Sequence, residues 1–346
     1  MNFKHFIRSA VLLAGILAVL SCNKEGMGGP KASVRFRIVT PETETKAFVT
    51  PYEARVGSLD LLAFRALDGT LDGEPVRAVV VAPATTLTTI SGDVTSNVAL
   101  NCYVVANAPD GAFSGITSES AFLAALSRLD HSTSNSLVMV GKSLNMTVTS
   151  GDSSEDIEIT RLGCKVSVGT VSMSAAYYSG LGASPTVTIG RVVLANVVGS
   201  IPYSQVPAAG SVWYNQRGVL DATGIVADMT EFTSGAAITG SSPVSVNADL
   251  YCYPNPTSNS VDSSNDGGSW SVRNTRIAVE IIVNGNPEWY PVTLPAMDCN
   301  KHYRINTLTI LGPGSTSPDI PVTRTDLAFT VSVNAWSGLD VPIDFN

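Results

Sequence analysis

The amino-acid sequence predicts an all-β protein, and three observations carry that expectation. Alternating apolar and polar residues recur along the chain, most clearly where Val34, Phe36 and Ile38 interleave with Arg35 and Arg37, and a period of two belongs to a half-buried strand. Turn residues separate these runs, drawn from 29 glycines and 19 prolines. A chain of 346 residues, 44% hydrophobic and 14% charged, carries enough apolar material for two cores. The expected architecture is two β domains with minor helical insertions.

The chain begins with Lys4 and Arg8, then an uninterrupted apolar run at residues 10–20, then Ser21 and Cys22. That run is too short to span a bilayer and has the proportions of a secretory signal, so residues 1–21 are read as a signal peptide. A small residue directly before a cysteine is similar to a bacterial lipobox. Cys22 would then be acylated, with palmitate among the expected chains, and become the first residue of the mature protein. Asn23 follows, not the aspartate associated with inner-membrane retention, so an outer-membrane lipoprotein is expected.

The rest of the chain is organised around residues 32–47. Their first half is the alternating strand. Their second half, from Pro41 to Lys46, has turn residues and charge with almost nothing to bury, and reads as an exposed, protease-accessible loop. A strand tied to the fold by one soft loop can be cut away after folding. Residues 22–46 are therefore read as a tether plus a removable strand anchored by Val34, Phe36 and Ile38.

Further strands are expected at residues 58–65, 77–81, 85–90, 97–106, 137–140, 145–148, 156–161 and 165–173. They would form a first domain at 47–178. One helix interrupts them at 118–129, where Phe122, Leu123, Leu126 and Leu129 recur at helical spacing, Glu119 lies in the first turn, and Ser118 or Thr117 caps. The Gly- and Ser-rich residues 177–185 read as a linker. In a second domain at 186–346, strands are expected at 186–196, 244–253, 276–283, 288–294 and 303–311, with loops and a short helix over the poorly patterned 197–243. Asn284-Gly285 is the clearest turn, because it supplies the positive φ angles of a type I′ hairpin. Two segments close the chain. Residues 327–336 place Leu327, Phe329, Val331, Val333 and Ala335 on one face, and residues 341–345 place Val341, Ile343 and Phe345 on one face. The latter triplet has the spacing and nearly the chemistry of Val34, Phe36 and Ile38, so both could fill one groove.

Several function classes are excluded on composition and motif. A formal net charge of −8 with no basic tract argues against nucleic-acid binding. Beyond the signal the histidines are His131 and His302, neither beside a nucleophile motif nor at metal-ligand spacing. The Asp- and Ser-rich residues 261–268 lack the fixed ligand positions of an EF-hand and read as a solvated loop. No catalytic residue, metal or cofactor is expected, and the protein is read as not an enzyme. Export makes disulfides possible for Cys102, Cys164, Cys252 and Cys299, with 102–164 and 252–299 conceivable pairs. Buried free thiols are the favoured reading.

The chain resembles the fimbrillins, the major fimbrial subunits of type V pili. The resemblance runs from Cys22-Asn23-Lys24 through residues 32–40 and the junction Thr45-Lys46-Ala47-Phe48. It continues through Lys165-Val166, residues 173–177, Asn300 to Tyr303, residues 310–314, and the terminal Ala335-Trp336. It implies two transthyretin-like β-sandwich domains and export as a lipoprotein acylated at Cys22. It further implies that a trypsin-like maturation protease cuts at Lys46-Ala47, where the arginine-specific members of the family have Arg; Arg55 is the nearest downstream arginine. The strand bearing Val34, Phe36 and Ile38 would then leave, and the C-terminal strand of the next subunit would enter. The donor would lie after Asp326, with Leu327, Phe329, Val331, Val333, Val341, Ile343 and Phe345 as its anchors. The implied partners are a homo-polymer of pilin subunits, accessory tip or anchor subunits, and the outer membrane through the lipid before processing. The competing reading is a non-polymerising surface lipoprotein that binds glycan or protein, with Trp213, Trp270 and Trp289 as a stacking platform.

Overall fold

The computed structural model describes residues 30–40, 53–80, 87–149, 151–206, 212–220 and 226–336. The first half of the chain supplies Lys31–Val39 (β1), Ser58–Arg65 (β2), Val76–Val79 (β3), Thr89–Thr95 (β4), Ala99–Ala106 (β5), Met139–Thr147 (β6), Asp152–Glu158 (β7) and Thr160–Arg161 (β8). They form a three-stranded sheet ordered β4-β1-β7 and a five-stranded sheet ordered β3-β2-β5-β6-β8. Between them Val34, Phe36, Leu59, Leu61, Leu100, Val104, Met139 and Ile157 make the first core.

Strands β2 and β5 are apolar on both faces, and the reason is visible in the packing. Leu59 and Leu61 face the first core, while Leu62 and Phe64 face a second. That second core begins at Glu119–Ala124 (α1), whose Phe122 stacks among Phe64, Tyr103, Phe113 and Tyr203. The Ser118 side chain caps α1 by accepting from the Ala121 N–H at 3.2 Å, as its sequence predicts. The helix ends earlier than its apolar spacing suggests. Ala125 is extended, and Leu126–Arg128 turns instead into a short strand paired with Ser200–Pro202.

The remaining strands are Cys164–Met173 (β9), Val187–Ala195 (β10), Glu231–Thr233 (β11), Val244–Cys252 (β12), Arg276–Val283 (β13), Asn286–Thr293 (β14), Lys301–Ile310 (β15) and Leu327–Ala335 (β16). They form two four-stranded sheets ordered β12-β9-β15-β16 and β11-β10-β13-β14. Asn284 (φ 49°) and Gly285 (φ 86°) turn β13 into β14 as expected. Strand β9, read from the sequence as the last of the first domain, pairs with β12 and β15 instead. Residues 177–185, read as a linker, connect the two sheets of this later sandwich and begin within the helix Ala175–Gly180 (α2). A local alternation reveals a strand but not its partners, because pairing is set by contacts far away in sequence.

One topology is used twice. The first strand of each sandwich lies between an antiparallel neighbour and a parallel one: β1 between β4 and β7, β9 between β12 and β15. The facing sheets repeat the order third, second, fifth, sixth. The later sandwich then adds β16 on the far side of β15.

Candidate functional site

Strand β1 is a central strand, held on both sides. Its antiparallel register with β4 runs from Lys31 opposite Thr95 to Arg37 opposite Thr89, and its parallel register with β7 runs from Ser33 opposite Asp152 to Val39 opposite Glu158. Val34 and Phe36 are fully buried, with Ala32 and Ile38 nearly so. Burying three such apolar side chains contributes roughly 5–9 kcal/mol before ordering costs. Gly92 of β4 faces Leu61 and Val76 where a Cβ would stand 3.0 Å from the leucine, which keeps the sheets close here. Taking β1 away would open a gap two strand spacings wide, about 10 Å, floored by the first core and walled by unpaired N–H and C=O groups of β4 and β7.

The outward face of β1 is cationic and its neighbours' faces are anionic. Arg37 donates from two nitrogens to the carboxylate of Asp156, at 2.6 and 2.5 Å. Arg35 donates to Ser91 Oγ at 3.4 Å. The Arg37 guanidinium holds Asp156 below the usual carboxylate range. Both partners are largely in solvent, so this pair aligns the strand more than it stabilises the fold.

Glu53, which precedes β2 in the chain, is buried at the end of β16. Its carboxylate accepts from Lys165 Nζ at 2.7 Å, Tyr251 Oη at 2.6 Å and Trp336 Nε1 at 3.0 Å. Arg161 donates to the backbone oxygens of Glu53 and Trp336 and lies 4.6 Å above the Trp336 ring. Lys165 also pairs with Asp249 at 2.9 Å. Burial, followed by the negative charge of Glu53, pushes the Tyr251 phenol far above its ordinary value. The segment leading into β2 and the end of β16 are thus fastened to one carboxylate. Sequence reasoning missed Glu53; the available signal was Lys165, a cation inside an apolar strand run, which requires a buried anion.

The residues singled out from the sequence fall in three places. Val34, Phe36 and Ile38 point from β1 into the first core and fill its slot. Leu327, Phe329, Val331 and Val333 lie in β16, which is paired with β15 of its own sandwich. There Leu327 and Val331 are buried, whereas Phe329 is 42% exposed and lines a cleft of about 470 Å³ beside Leu294 and Pro295. Cys22, Lys46, Ala47, Val341, Ile343 and Phe345 lie outside the described residues.

Other expectations also meet the geometry here. Cys102, Cys164, Cys252 and Cys299 are free thiols. Cys164 stands opposite Cys252 across β9 and β12, so the strand register brings together neither pair conceived from the sequence. Trp213 and Trp270 meet edge to face at 5.2 Å, but Trp289 is buried beneath Arg191. The acidic loop at 261–268 is tied down by arginine. Asp266 accepts from Arg217 and Arg273, and the buried Asp319 accepts from Arg273, Arg276, Asn196 and Ser263.

No protein-family model matches the chain, and no curated protein matches it in sequence. Solved structures do match it in shape. A fimbrilin from Porphyromonas gingivalis W83 superposes with a TM-score of 0.58 at 15% identity, over 90% of this chain and 99% of that one. The fold is that of fimbrilin. A candidate cell adhesion protein from Bacteroides eggerthii DSM 20697 shares the fimbrilin-like fold at TM-score 0.61 and 18% identity, over 89% of this chain and 97% of that one. The tip fimbrial protein Mfa3 from Porphyromonas gingivalis, with a C-terminal truncation, shares it at TM-score 0.53 and 14% identity, over 89% and 100%. Each match extends through both sandwiches of this chain.

Proposed function

We propose that this protein is a structural subunit of cell-surface fimbriae that assembles by strand exchange and supports adhesion, and that it is not an enzyme. The observation that carries the reading is the placement of β1. It fills a central slot with Val34, Phe36 and Ile38, yet it is joined to the rest of the fold only through residues 41–52, which contain Lys46. In this reading the exported chain is acylated at Cys22 and held at the outer membrane until a trypsin-like protease cuts at Lys46-Ala47. Strand β1 leaves, and a strand from another subunit takes its place by pairing with β4 and β7. Such a contact is head-to-tail and propagates.

The donor segment is placed after Trp336, with Val341, Ile343 and Phe345 as anchors. Strand β16 is already paired with β15 and is fastened at its end by Glu53 and Arg161. Leu327, Phe329, Val331 and Val333 therefore serve as the root from which the donor extends. Fimbrial relatives with the same fold support this reading by analogy.

The test is limited trypsin digestion of the folded protein in a surface extract that retains the other fimbrial subunits, followed by N-terminal sequencing and electrophoresis without boiling. A new N-terminus at Ala47 and SDS-resistant bands above the monomer are expected, and deletion of residues 341–346 should remove the bands in which this chain is the donor while leaving the protomer folded and able to receive a strand. A cut protein that stays monomeric in that extract, or donor bands that persist in the truncated chain, would remove the strand-exchange reading or the donor assignment respectively.

A further inference from the structure

Emptying the β1 slot would uncover more than an apolar floor. On the outward face of the three-stranded sheet, β4 carries Asp93, and β7 carries Asp152, Asp156 and Glu158, all exposed. Strands β4 and β7 contain no Lys or Arg, so every cation of that sheet comes from β1: Lys31, Arg35 and Arg37. When β1 departs, this rim keeps its four carboxylates and loses its three cations. An entering strand must match the apolar floor on one face and this acidic rim on the other.

The chain's own C-terminal segment does not match the rim. From Asp326 to Asn346 it contains no Lys or Arg, and it adds Asp340 and Asp344. If Val341, Ile343 and Phe345 occupied the sites of Val34, Phe36 and Ile38, the outward positions would be Pro342 and Asp344, standing where Arg35 and Arg37 stand now. In that register Asp344 would meet Asp156 directly. Like charges placed opposite one another in a sheet are unfavourable, and proline supplies no N–H to a strand that must bond on both sides. Reversing the strand direction exchanges the two outward residues without supplying a cation. The segment 327–335 offers only Ala328, Thr330, Ser332 and Asn334 on its outward side, also without a cation.

We infer that the slot of this protein is built to receive the strand of a different subunit, one carrying Arg or Lys at alternate outward positions between apolar anchors, and that it discriminates against the protein's own tail. In this inference the junction at the slot joins unlike subunits, an alternative to the homo-polymer expected from the sequence, and it rests on the strand-exchange reading above. Charge on the rim would set partner choice, and the apolar floor would set the strength of the hold.

The experiment uses the folded chain, cut by trypsin to release β1, and four labelled peptides whose binding is read by fluorescence anisotropy at low and high salt. The peptides are residues 30–40, the same peptide with Arg35→Glu and Arg37→Glu, residues 338–346, and that tail peptide with Asp344→Arg. At low salt the double-Glu peptide should bind about tenfold or more weakly than the native β1 peptide, and Asp344→Arg should tighten the tail peptide by a similar factor. Both differences should shrink at high salt, where exposed charges are screened. A tail peptide that binds as tightly as the β1 peptide, with no effect of either charge change, overturns the inference and leaves strand exchange standing. Failure of every peptide to enter, native β1 included, overturns strand exchange itself.

Discussion

Replacing Glu53 with alanine tests the junction where the segment leading into β2 and the end of β16 meet. The substitution removes one buried carboxylate and leaves Lys165, Tyr251 and Trp336 without the acceptor they share. Deleting one partner of a buried ion pair costs about 3–5 kcal/mol. Lys165 keeps Asp249, whose side chain is 37% exposed, so the lower end of that range, about 3 kcal/mol, is expected. For a unit of this size that corresponds to a fall in Tm of about 6–12 °C. Thermal unfolding followed by circular dichroism measures it, and tryptophan fluorescence should report Trp336 moving toward solvent. The double substitution Glu53→Leu with Lys165→Met removes both charges and should recover much of the loss. A single variant within about 1 kcal/mol of the parent, or a double variant worse than the single, would refute the view that this carboxylate holds the junction.

Phe36→Ala should destabilise the first sandwich by about 3–5 kcal/mol in urea unfolding, because the ring is fully buried against the floor of the slot; a loss below 1 kcal/mol would show a floor that collapses freely. Gly141→Ala should cost about 1–3 kcal/mol in the same assay, since an added Cβ would sit 2.5 Å from the Glu158 carbonyl oxygen and 2.9 Å from Ile159. His302 is buried against Ser167, and burial with the nearby Lys165 and Arg304 lowers its pKa from 6.5 to about 3. The unfolded chain therefore takes up this proton more readily. The stabilisation is complete above about pH 6.5 and is lost as pH falls toward 3, with about 2 kcal/mol gone by pH 5. His302→Gln should flatten that part of the urea-midpoint profile, and an unchanged slope would contradict the assignment. Thiol titration of the native mature chain should find Cys299 alone slowly reactive and the other three silent until unfolding, since burial pushes Cys102 up to about 12 and Cys299 up to about 11.

What could be read in advance was what is written locally. Strand β1 alternates cleanly because its sheet has one face in the core and one in water, and the β13–β14 hairpin follows from the positive φ angles that Asn284 and Gly285 tolerate. Residues 137–140 and 145–148 looked like two strands because Gly141 and Lys142 interrupt the apolar run. The structure joins them as β6, where Gly141 is required by the close approach of Glu158. Long-range facts were not legible. Nothing near Cys164 announces that β9 pairs with β12 and β15, and nothing near Glu53 announces a carboxylate that ends up beside Trp336. The apolar face that fills the slot was readable from Val34, Phe36 and Ile38, but the slot's acidic rim was not, since Asp93 and Asp156 come from strands whose adjacency only the fold supplies.

The doubled topology has a mechanical consequence. In each sandwich the opening strand is gripped along both flanks, by β4 and β7 or by β12 and β15. A segment held this way and drawn lengthwise cannot peel off one rung after another; both ladders must yield together along the length that is pulled. Any chain lodged between β4 and β7 would therefore resist tension in shear, and the second sandwich, whose equivalent strand β9 is continuous with the protein at both ends, would pass the same load through to β16.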